Sequence, residues 1–330
     1  MQGKEVSEQE TEGEAYVGID VCESWLDVHV LPAGKAFRVA NTSQGQRQLK
    51  RRLVADKVVL IAPEATGEAT GKWHRQTHRS LHASGYRVAI VNPLRARLFA
   101  QAIGLLAKTD RLDARMLALF ASNLAPSAKP PLSQAIEDLK ELVQARDSAV
   151  GEQTALQNQL ASAATTFLRR QLKRRLGRIA IDIAALAREI LLQIKADEGF
   201  ARRYAILVSI PGFGPIVAAT LLAQLAELGE CSDKQIAMLA GLAPVADDSG
   251  KRNGQRIIRS GRPAARRVLY LSALSATRCH AAMKDFYQRL TAAGKPPKLA
   301  LVAVARKLLV LANALLSNDR VWQPLPPNHA

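Results

Sequence analysis

Residues 16–21 read YVGIDV and place an aspartate, Asp20, inside an apolar stretch. A carboxylate in such a strand is costly to desolvate unless a cation or strong hydrogen-bond donors meet it. Residues 25–31 (WLDVHVL) alternate between apolar and polar side chains, as the second arm of a β-hairpin does. We therefore expect Asp20 on the first strand of a sheet, where a metal ion can reach it. The alternative is an ordinary aspartate of an edge strand or turn.

Further acids follow at positions that a folded sheet would bring together. Asp110 and Asp113 open a predicted helix, and their spacing places them on one face of it. A third acid is expected just beyond the predicted strand at residues 58–62, where Glu64-Ala-Thr-Gly is repeated at once as Glu68-Ala-Thr-Gly. Glu68 would require residues 63–67 to extend the strand, and their composition is poor for that, which favours Glu64. Converging acids in a basic protein indicate metal-dependent phosphodiester chemistry.

The first part of the chain is predicted to be an α/β domain. A disordered acidic tail is expected at residues 1–14, followed by three strands joined by short turns. Two more strands, at residues 58–62 and 87–91, are reached through helices, so the expected structure is a mixed sheet covered by helices. This domain is assigned to residues 15–125.

The rest of the chain is predicted to be helical. A proline-rich linker opens residues 126–199, where apolar residues recur with the four-three spacing of a coiled coil or of a helical hairpin within one chain. Residues 200–318 form a further, mostly α domain, and residues 319–330 a loose tail.

A glycine-rich turn is expected early in the last domain. Gly212 and Gly214 flank Phe213 immediately before a predicted helix. Such a turn exposes backbone N–H groups that can hold a phosphate, as in a helix-hairpin-helix DNA-backbone binder. The alternative is a plain turn between two helices.

The charge distribution indicates a polyanionic partner. The net charge is +17, and residues 249–284 contain nine Lys or Arg and no Asp or Glu. Clusters of one sign on this scale are typical of nucleic-acid binding. Besides the two glycines, the residues expected to contact nucleic acid are Lys251, Arg252, Arg256, Arg259, Arg262, Arg266 and Arg267, together with Arg169, Arg170, Lys173 and Arg174 of the long helices.

A candidate nucleophile, Ser249, lies in the basic loop. A serine that attacks a phosphodiester needs an accessible hydroxyl, nearby cations and a base or metal for its proton. Spacing alone is weak support, since most serines in such loops are turn residues. Ser260 is a rival, but Pro263 has the character of a first helical residue, which assigns Ser260 to the turn before it.

Cysteine usage and hydropathy favour the cytoplasm. The three cysteines are widely spaced and form no CxxC pair, which argues against a disulfide framework or a zinc ribbon. The N-terminus is polar, and the longest apolar stretches, such as residues 216–228, are short and interrupted. No membrane partner is expected.

Taken together, these residues resemble the DEDD transposases of bacterial insertion sequences, whose best-known members are RNA-guided recombinases and whose relatives include pilin-gene invertases. The resemblance extends over residues 16–318. The matching pieces, in order, are GID at 18–20, EATG at 64–67 or 68–71, VNP at 91–93, KTDRLDA at 108–114, PGFG at 211–214, GLAP at 241–244 and DSG at 248–250.

The resemblance implies a RuvC-like, RNase-H-type N-terminal domain whose acidic tetrad binds Mg²⁺ or Mn²⁺. The tetrad falls on Asp20, Asp110, Asp113 and one of the two glutamates. The usual family interval, counted back from Asp110, favours Glu68 and disagrees with the strand argument for Glu64, so both stay open. A C-terminal transposase domain with a nucleophilic serine is also implied, and this serine falls on Ser249.

The implied function is recombination of double-stranded donor and target DNA through a covalent DNA–serine ester. Family resemblance further implies a structured non-coding guide RNA, a homodimer or homotetramer assembled by the coiled coil, and a bacterial cytoplasm with action at the nucleoid. Two alternatives stand beside it. One is a Holliday-junction-type nuclease that uses metal-bound water, and the other is an architectural nucleic-acid binder without catalysis.

Overall fold

The computed structural model describes residues 14–54, 57–65, 73–105, 107, 109–245, 254, 256–258 and 261–324. The chain forms two compact units, Met1–Leu132 and Ser133–Ala330.

A four-stranded sheet of order β3-β2-β1-β4 organises the first unit. Strands β1 (Ala15–Val21), β2 (Trp25–Leu31) and β3 (Lys35–Ala40) are consecutive antiparallel neighbours, and β4 (Val58–Pro63) pairs with β1 in parallel. This is the mixed sheet expected from the order of elements.

The predicted strand at residues 87–91 is wrong as a continuous strand. Only two isolated parallel bridges form at this edge of β4, Ile61 with Val88 and Glu64 with Val91. Ile61 and Val91 donate the expected backbone bonds, to Arg87 and Pro63. The next donor along β4 would be the amide of Pro63, and proline has no N–H to give, so the ladder is interrupted there.

Helices cover both faces of the sheet. On one face lie α1 (Ser43–Leu53) and α2 (Trp73–His82), and they share an apolar core with the odd-numbered residues of β1. On the other face lie α3 (Pro93–Ala102) and α4 (Asp110–Leu124), which pack on Leu60 and Ala62 of β4. The first unit is therefore an α/β layer structure consistent with an RNase-H-like domain.

Gly18 sets how closely α4 approaches β1. A Cβ at this position would lie 2.0 Å from the carbonyl oxygen of Ala114 and 2.3 Å from the amide nitrogen of Ala118. Both distances are far below van der Waals contact, so only glycine allows the helix backbone to lie directly on the strand.

The second unit begins with two long helices, α5 (Gln134–Ser162) and α6 (Thr166–Ala196), which pack against each other. Leu156 and Leu172 are buried near their connection, and Ile190 and Ile194 join the main core of the unit at the other end. The apolar spacing is thus realised as a helical hairpin, and a coiled coil between chains stays a prediction.

In the described part of the second unit, six further helices surround the main core: α7 (Glu198–Ser209), α8 (Pro215–Gln224), α9 (Asp233–Leu239), α10 (Pro263–Cys279), α11 (Ala281–Ala292) and α12 (Pro297–Ser317). By length and composition α12 could cross a membrane, and 44% of its most apolar window is buried in the protein. Val304 and Leu308 of this helix are fully buried, as in the core helix of a globular domain.

Candidate active site

A row of charged residues crosses three strands at one end of the sheet. In the ladder Asp20 of β1 is paired with Asp27 of β2, and Asp27 is paired with Arg38 of β3. Paired residues project from the same face of a sheet. Gly18 shares this face with Asp20, since side chains alternate along a strand, so the row lies on the side covered by α4.

The first turn of α4 adds two acids to this row. The helix begins at Asp110 because Thr109 caps it, with its hydroxyl oxygen accepting the backbone N–H of Leu112 at 3.3 Å. Asp110 and Asp113 both lie in that first turn, where the positive end of the helix dipole favours carboxylates. The predicted helix start and the shared face of the two acids are confirmed.

Glu64 reaches the same region from the end of β4. It is the first residue after the strand, and its backbone N–H donates to the carbonyl of Ile19, next to Asp20 (3.2 Å). Glu64 and Asp113 line one cleft of about 510 Å³, whose remaining walls come from α3, α4 and the segment between them. Glu68 lies outside the described residues, so the choice between the two glutamates stays open.

The neighbouring acids lie near enough to Asp20 to affect its ionisation. Burial and, after it, the negative charges of Glu64, Asp113, Asp110 and Asp27 raise the pKa of Asp20 to about 7. A carboxyl group placed among like charges holds its proton more tightly, because ionisation adds repulsion in a region of low dielectric constant. Perturbation of this kind by both burial and specific charges marks a candidate functional site.

Arg38 brings a positive charge to the described acids. Its Nε donates to Asp27 Oδ1 at 3.0 Å and its Nη2 to Asp27 Oδ2 at 2.7 Å, while the same Nη2 donates to Asp110 Oδ2 at 2.9 Å. The sequence interpretation missed both Asp27 and Arg38. Counting register through the two short turns after β1 and β2 would have found them, because that count aligns both residues with Asp20.

The donor set fits a hard divalent cation. Carboxylate oxygens are the ligands that Mg²⁺ and Mn²⁺ prefer, and a cation would relieve the repulsion around Asp20. As the side chains lie, no three His, Cys, Asp or Glu of the described ranges are gathered closely enough to hold a metal. Asp110 instead accepts a hydrogen bond from Arg38.

The predicted phosphate-binding turn joins α7 to α8 in the second unit. Gly212 has φ +100°, and a Cβ there would lie 2.8 Å from Cβ of Ala276, so glycine is required twice over. Phe213 is buried, and Gly214 caps α8 without a side-chain hydrogen bond. The segment is a tight turn between two helices, and the helix-hairpin-helix motif and its role in phosphate binding stay predictions.

The residues predicted to bind nucleic acid differ in their contacts within the protein. Arg262 is committed to the fold, since its guanidinium forms a fork-shaped pair with Glu227, with both N···O distances at 2.7 Å. Arg267 pairs with Asp147 of α5. Arg256, Arg170 and Lys173 are exposed. Arg169 donates to the Ala163 carbonyl and Arg174 to Gln171. Arg266 lies in the first turn of α10.

The candidate nucleophile lies in a segment that the structure does not describe. Val245 and Ile257 form an antiparallel bridge, and Ser249 belongs to the chain between them. Outside the described residues, with Ser249, are Lys251, Arg252, Arg259 and Ser260. The structure therefore places the acids of the site and not the serine.

Comparison with known proteins matches both units. Residues 17–168 match the DEDD transposase family of IS110 elements, and residues 204–288 match the family described as "Transposase IS116/IS110/IS902 family". Both units are thus similar to transposases of the IS110/IS116/IS902 family. The first match contains Asp20, Glu64, Asp110 and Asp113, and the second contains the glycine-rich turn and the basic loop.

Individual relatives agree with this assignment. Pilin gene-inverting proteins of Moraxella bovis and Moraxella lacunata are each 26% identical over 311 residues, which covers 92% of this transposase and 96% of the relative. An uncharacterized 42 kDa protein of insertion element IS900 from Mycobacterium paratuberculosis is 37% identical over 158 residues, or 45% of this chain and 39% of that protein. The transposase is thus an enzyme that cleaves and recombines DNA.

Proposed function

We propose that this transposase cuts and rejoins double-stranded donor and target DNA at the acidic site of its first unit, with Ser249 as the nucleophile. The observation that carries the proposal is the convergence of Asp20, Glu64, Asp110 and Asp113 from two strand ends and one helix start. Bringing four carboxylates together costs free energy, because the charges repel and lose solvation. A bound Mg²⁺ or Mn²⁺ would offset that cost, and carboxylates are suitable ligands for both ions.

The carboxylates would hold the cation, with Glu68 as the alternative to Glu64. When bound, a pair of divalent ions supplies charge stabilisation for the attacking and leaving oxygens of an in-line displacement. The protein positions the ligands: β1 holds Asp20, the start of α4 holds Asp110 and Asp113, and the chain after β4 holds the glutamate.

In the proposed reaction the hydroxyl oxygen of Ser249 forms a bond to phosphorus and the bond from phosphorus to a sugar oxygen breaks. The proton that the serine loses is balanced by the proton that the released sugar hydroxyl gains. The phosphodiester energy is kept in the DNA–serine ester, so attack by the sugar hydroxyl of an exchanged strand reverses the step and seals the new junction.

Further partners belong to the same proposal. A structured non-coding RNA that selects the DNA sites and assembly into a homodimer or homotetramer are proposed from the family resemblance. They are supported by the net charge of +17 and by the partly exposed apolar seam of α6. Sequencing the RNA and DNA that co-purify with the protein expressed from its native flanking DNA tests the first point, and a random RNA population contradicts it.

The decisive experiment follows radiolabelled DNA carrying the native flanking sequence. Ser249→Ala is expected to abolish the covalent protein–DNA adduct seen on denaturing gels, whereas the matched control Ser260→Ala retains it. Asp20→Asn is expected to abolish both adduct and cleavage in Mg²⁺.

A hydrolytic reaction is the second candidate, because the described acids by themselves suffice for a metal-dependent nuclease that uses water. Full cleavage by the Ser249→Ala protein with every acid still required would establish it. Unchanged activity of the Asp110→Ala protein would instead favour an architectural binder.

A further inference from the structure

The Asp27–Arg38 pair is an anchored unit inside the first domain. Asp27 is 5% exposed, and an unpaired carboxylate at such a position is strongly disfavoured. Arg38 satisfies it through Nε and Nη2, in the fork geometry that gives the strongest charge-assisted hydrogen bonds. The guanidinium is therefore fixed in place by the sheet and not by the site that it borders.

The same guanidinium also holds one of the candidate metal ligands. Nη2 of Arg38 donates to Asp110 Oδ2 at 2.9 Å, with side chains 46% and 62% exposed. Among the described residues this is the one side-chain hydrogen bond of the Asp110 carboxylate. Asp110 thus rests on an anchored cation from another element, and the described residues form no closed ligand set around a metal position.

Guanidinium and divalent cation require the same oxygen atoms. A carboxylate oxygen that accepts a short charged hydrogen bond is partly neutralised, and a positive charge beside the site repels an incoming cation. We propose that Arg38 is a positioning residue of the carboxylate site that holds Asp110 in the metal-free protein and is displaced from Asp110 by the divalent cation. This inference rests on the metal site of the proposed function.

Because Asp27 retains Arg38, the exchange at Asp110 is reversible. With Asp27 still bound, the guanidinium cannot leave the site when Asp110 turns to the cation, so it can take Asp110 back when the cation leaves. Asp110 then alternates between two defined partners and is not left among the repelling charges of Asp20, Glu64 and Asp113.

Titration with Mn²⁺ alone tests this exchange, without DNA and without activity as the readout. Isothermal titration calorimetry is run at pH 8, where Asp20 is ionised, in 0.15 M salt. Arg38→Gln is expected to bind Mn²⁺ about tenfold more tightly than the unmodified protein, since one charge-assisted hydrogen bond corresponds to about that factor. Equal or weaker binding overturns the proposal.

Two comparisons separate competition for Asp110 from a general charge effect. Arg52→Gln removes an equal charge from α1, at a guanidinium that lies 4.7 Å from the Phe37 ring centroid on the opposite face of the sheet. It should leave the affinity within about twofold, because its charge acts across the sheet and through solvent and salt screen it. In an Asp110→Asn background the Arg38→Gln gain should shrink to less than about twofold. A full gain in that background overturns the proposal.

Further outcomes distinguish this inference from the proposed function. Circular dichroism checks the fold, and Arg38→Lys replaces Arg38→Gln if that protein does not fold. Lysine keeps a charge for Asp27 but lacks the fork that reaches both acids, so affinity between the two values is expected and unchanged affinity contradicts the proposal. Absence of Mn²⁺ binding by every protein would refute the metal site itself, whereas binding that ignores Arg38 would refute only the exchange.

Discussion

Asp20 shows how a single residue couples the site to stability. Its pKa is about 7 in the folded protein and near 4 in an unfolded chain, so the folded state holds the proton more tightly. The associated stability is fully present below about pH 4 and is lost as the pH rises to about 7. The metal-free site therefore costs stability at neutral pH.

Asp20→Asn is accordingly expected to stabilise the metal-free protein at pH 8, by roughly 2 kcal/mol after allowance for partial solvent exposure of the carboxyl group. The difference in unfolding free energy between Asp20→Asn and the unmodified protein should grow between about pH 4 and pH 7 and then stay constant. Urea unfolding in EDTA across this range measures it. The control Asp285→Asn, at an exposed acid of α11, should show no such pH dependence. A constant difference for Asp20→Asn would contradict the prediction.

Gly18→Ala is expected to destabilise the protein by about 3 kcal/mol or more, because the new methyl group overlaps the backbone of α4 at Ala114 and Ala118. Movement of α4 would also carry Asp110 and Asp113 away from Asp20. Thermal unfolding measures the first effect and Mn²⁺ titration the second. A stable Gly18→Ala protein with unchanged Mn²⁺ affinity would show that the close approach is not needed.

The sequence led to Asp20, Asp110 and Asp113 because each stands at a recognisable place, in an apolar strand or at a helix start. Arg38 lacked such a mark. Its role depends on strand register and on a hydrogen bond to Asp110, 72 positions away in the chain. A register count aligns Arg38 with Asp27 and Asp20. Its hydrogen bond to Asp110 joins β3 to the start of α4, and local periodicity carries no information about that contact.

At the scale of elements, Gly177 of α6 has room for a side chain, in contrast to Gly18. It lies inside a long helix, and nothing is within 4 Å of a Cβ built there. Gly177→Ala should stabilise the protein by about 0.5–1 kcal/mol, since alanine loses less backbone entropy in a helix. Chemical denaturation gives the value. A loss of stability would indicate that this face of α6 is covered by another chain.

Helices were predictable where a capping residue stands at their start. Thr109 before Asp110 and Asn92 before Pro93 cap the starts of α4 and α3, and both helices begin there. The strand at residues 87–91 failed because its pairing depends on a donor that Pro63 of the neighbouring strand lacks. A strand is a property of two segments, so the composition of one cannot establish it.

At the scale of the whole molecule, the net charge of +17 predicted a polyanionic partner, and DNA is the partner that the transposase family implies. Which cations meet it depends on the fold. Arg262 reads as a DNA contact in the sequence, yet the structure commits it to Glu227. Arg170 and Lys173 of α6 stay exposed.

Binding of nonspecific duplex DNA should therefore depend on these two α6 residues through salt. Each phosphate contact contributes about one unit to the slope of log affinity against log salt concentration, because neutralised phosphates release their counterions. Replacing Arg170 and Lys173 together by glutamine should lower the magnitude of that slope by about two and weaken binding at low salt. Fluorescence anisotropy with a short duplex over a series of KCl concentrations measures both the slope and the affinity.

Arg202→Gln is the matched control for this experiment. Arg202 is paired with Asp319 at 2.8 Å, so its replacement should leave the slope unchanged. An unchanged slope in the double variant would move the DNA surface away from α6 and onto the basic loop of the second unit.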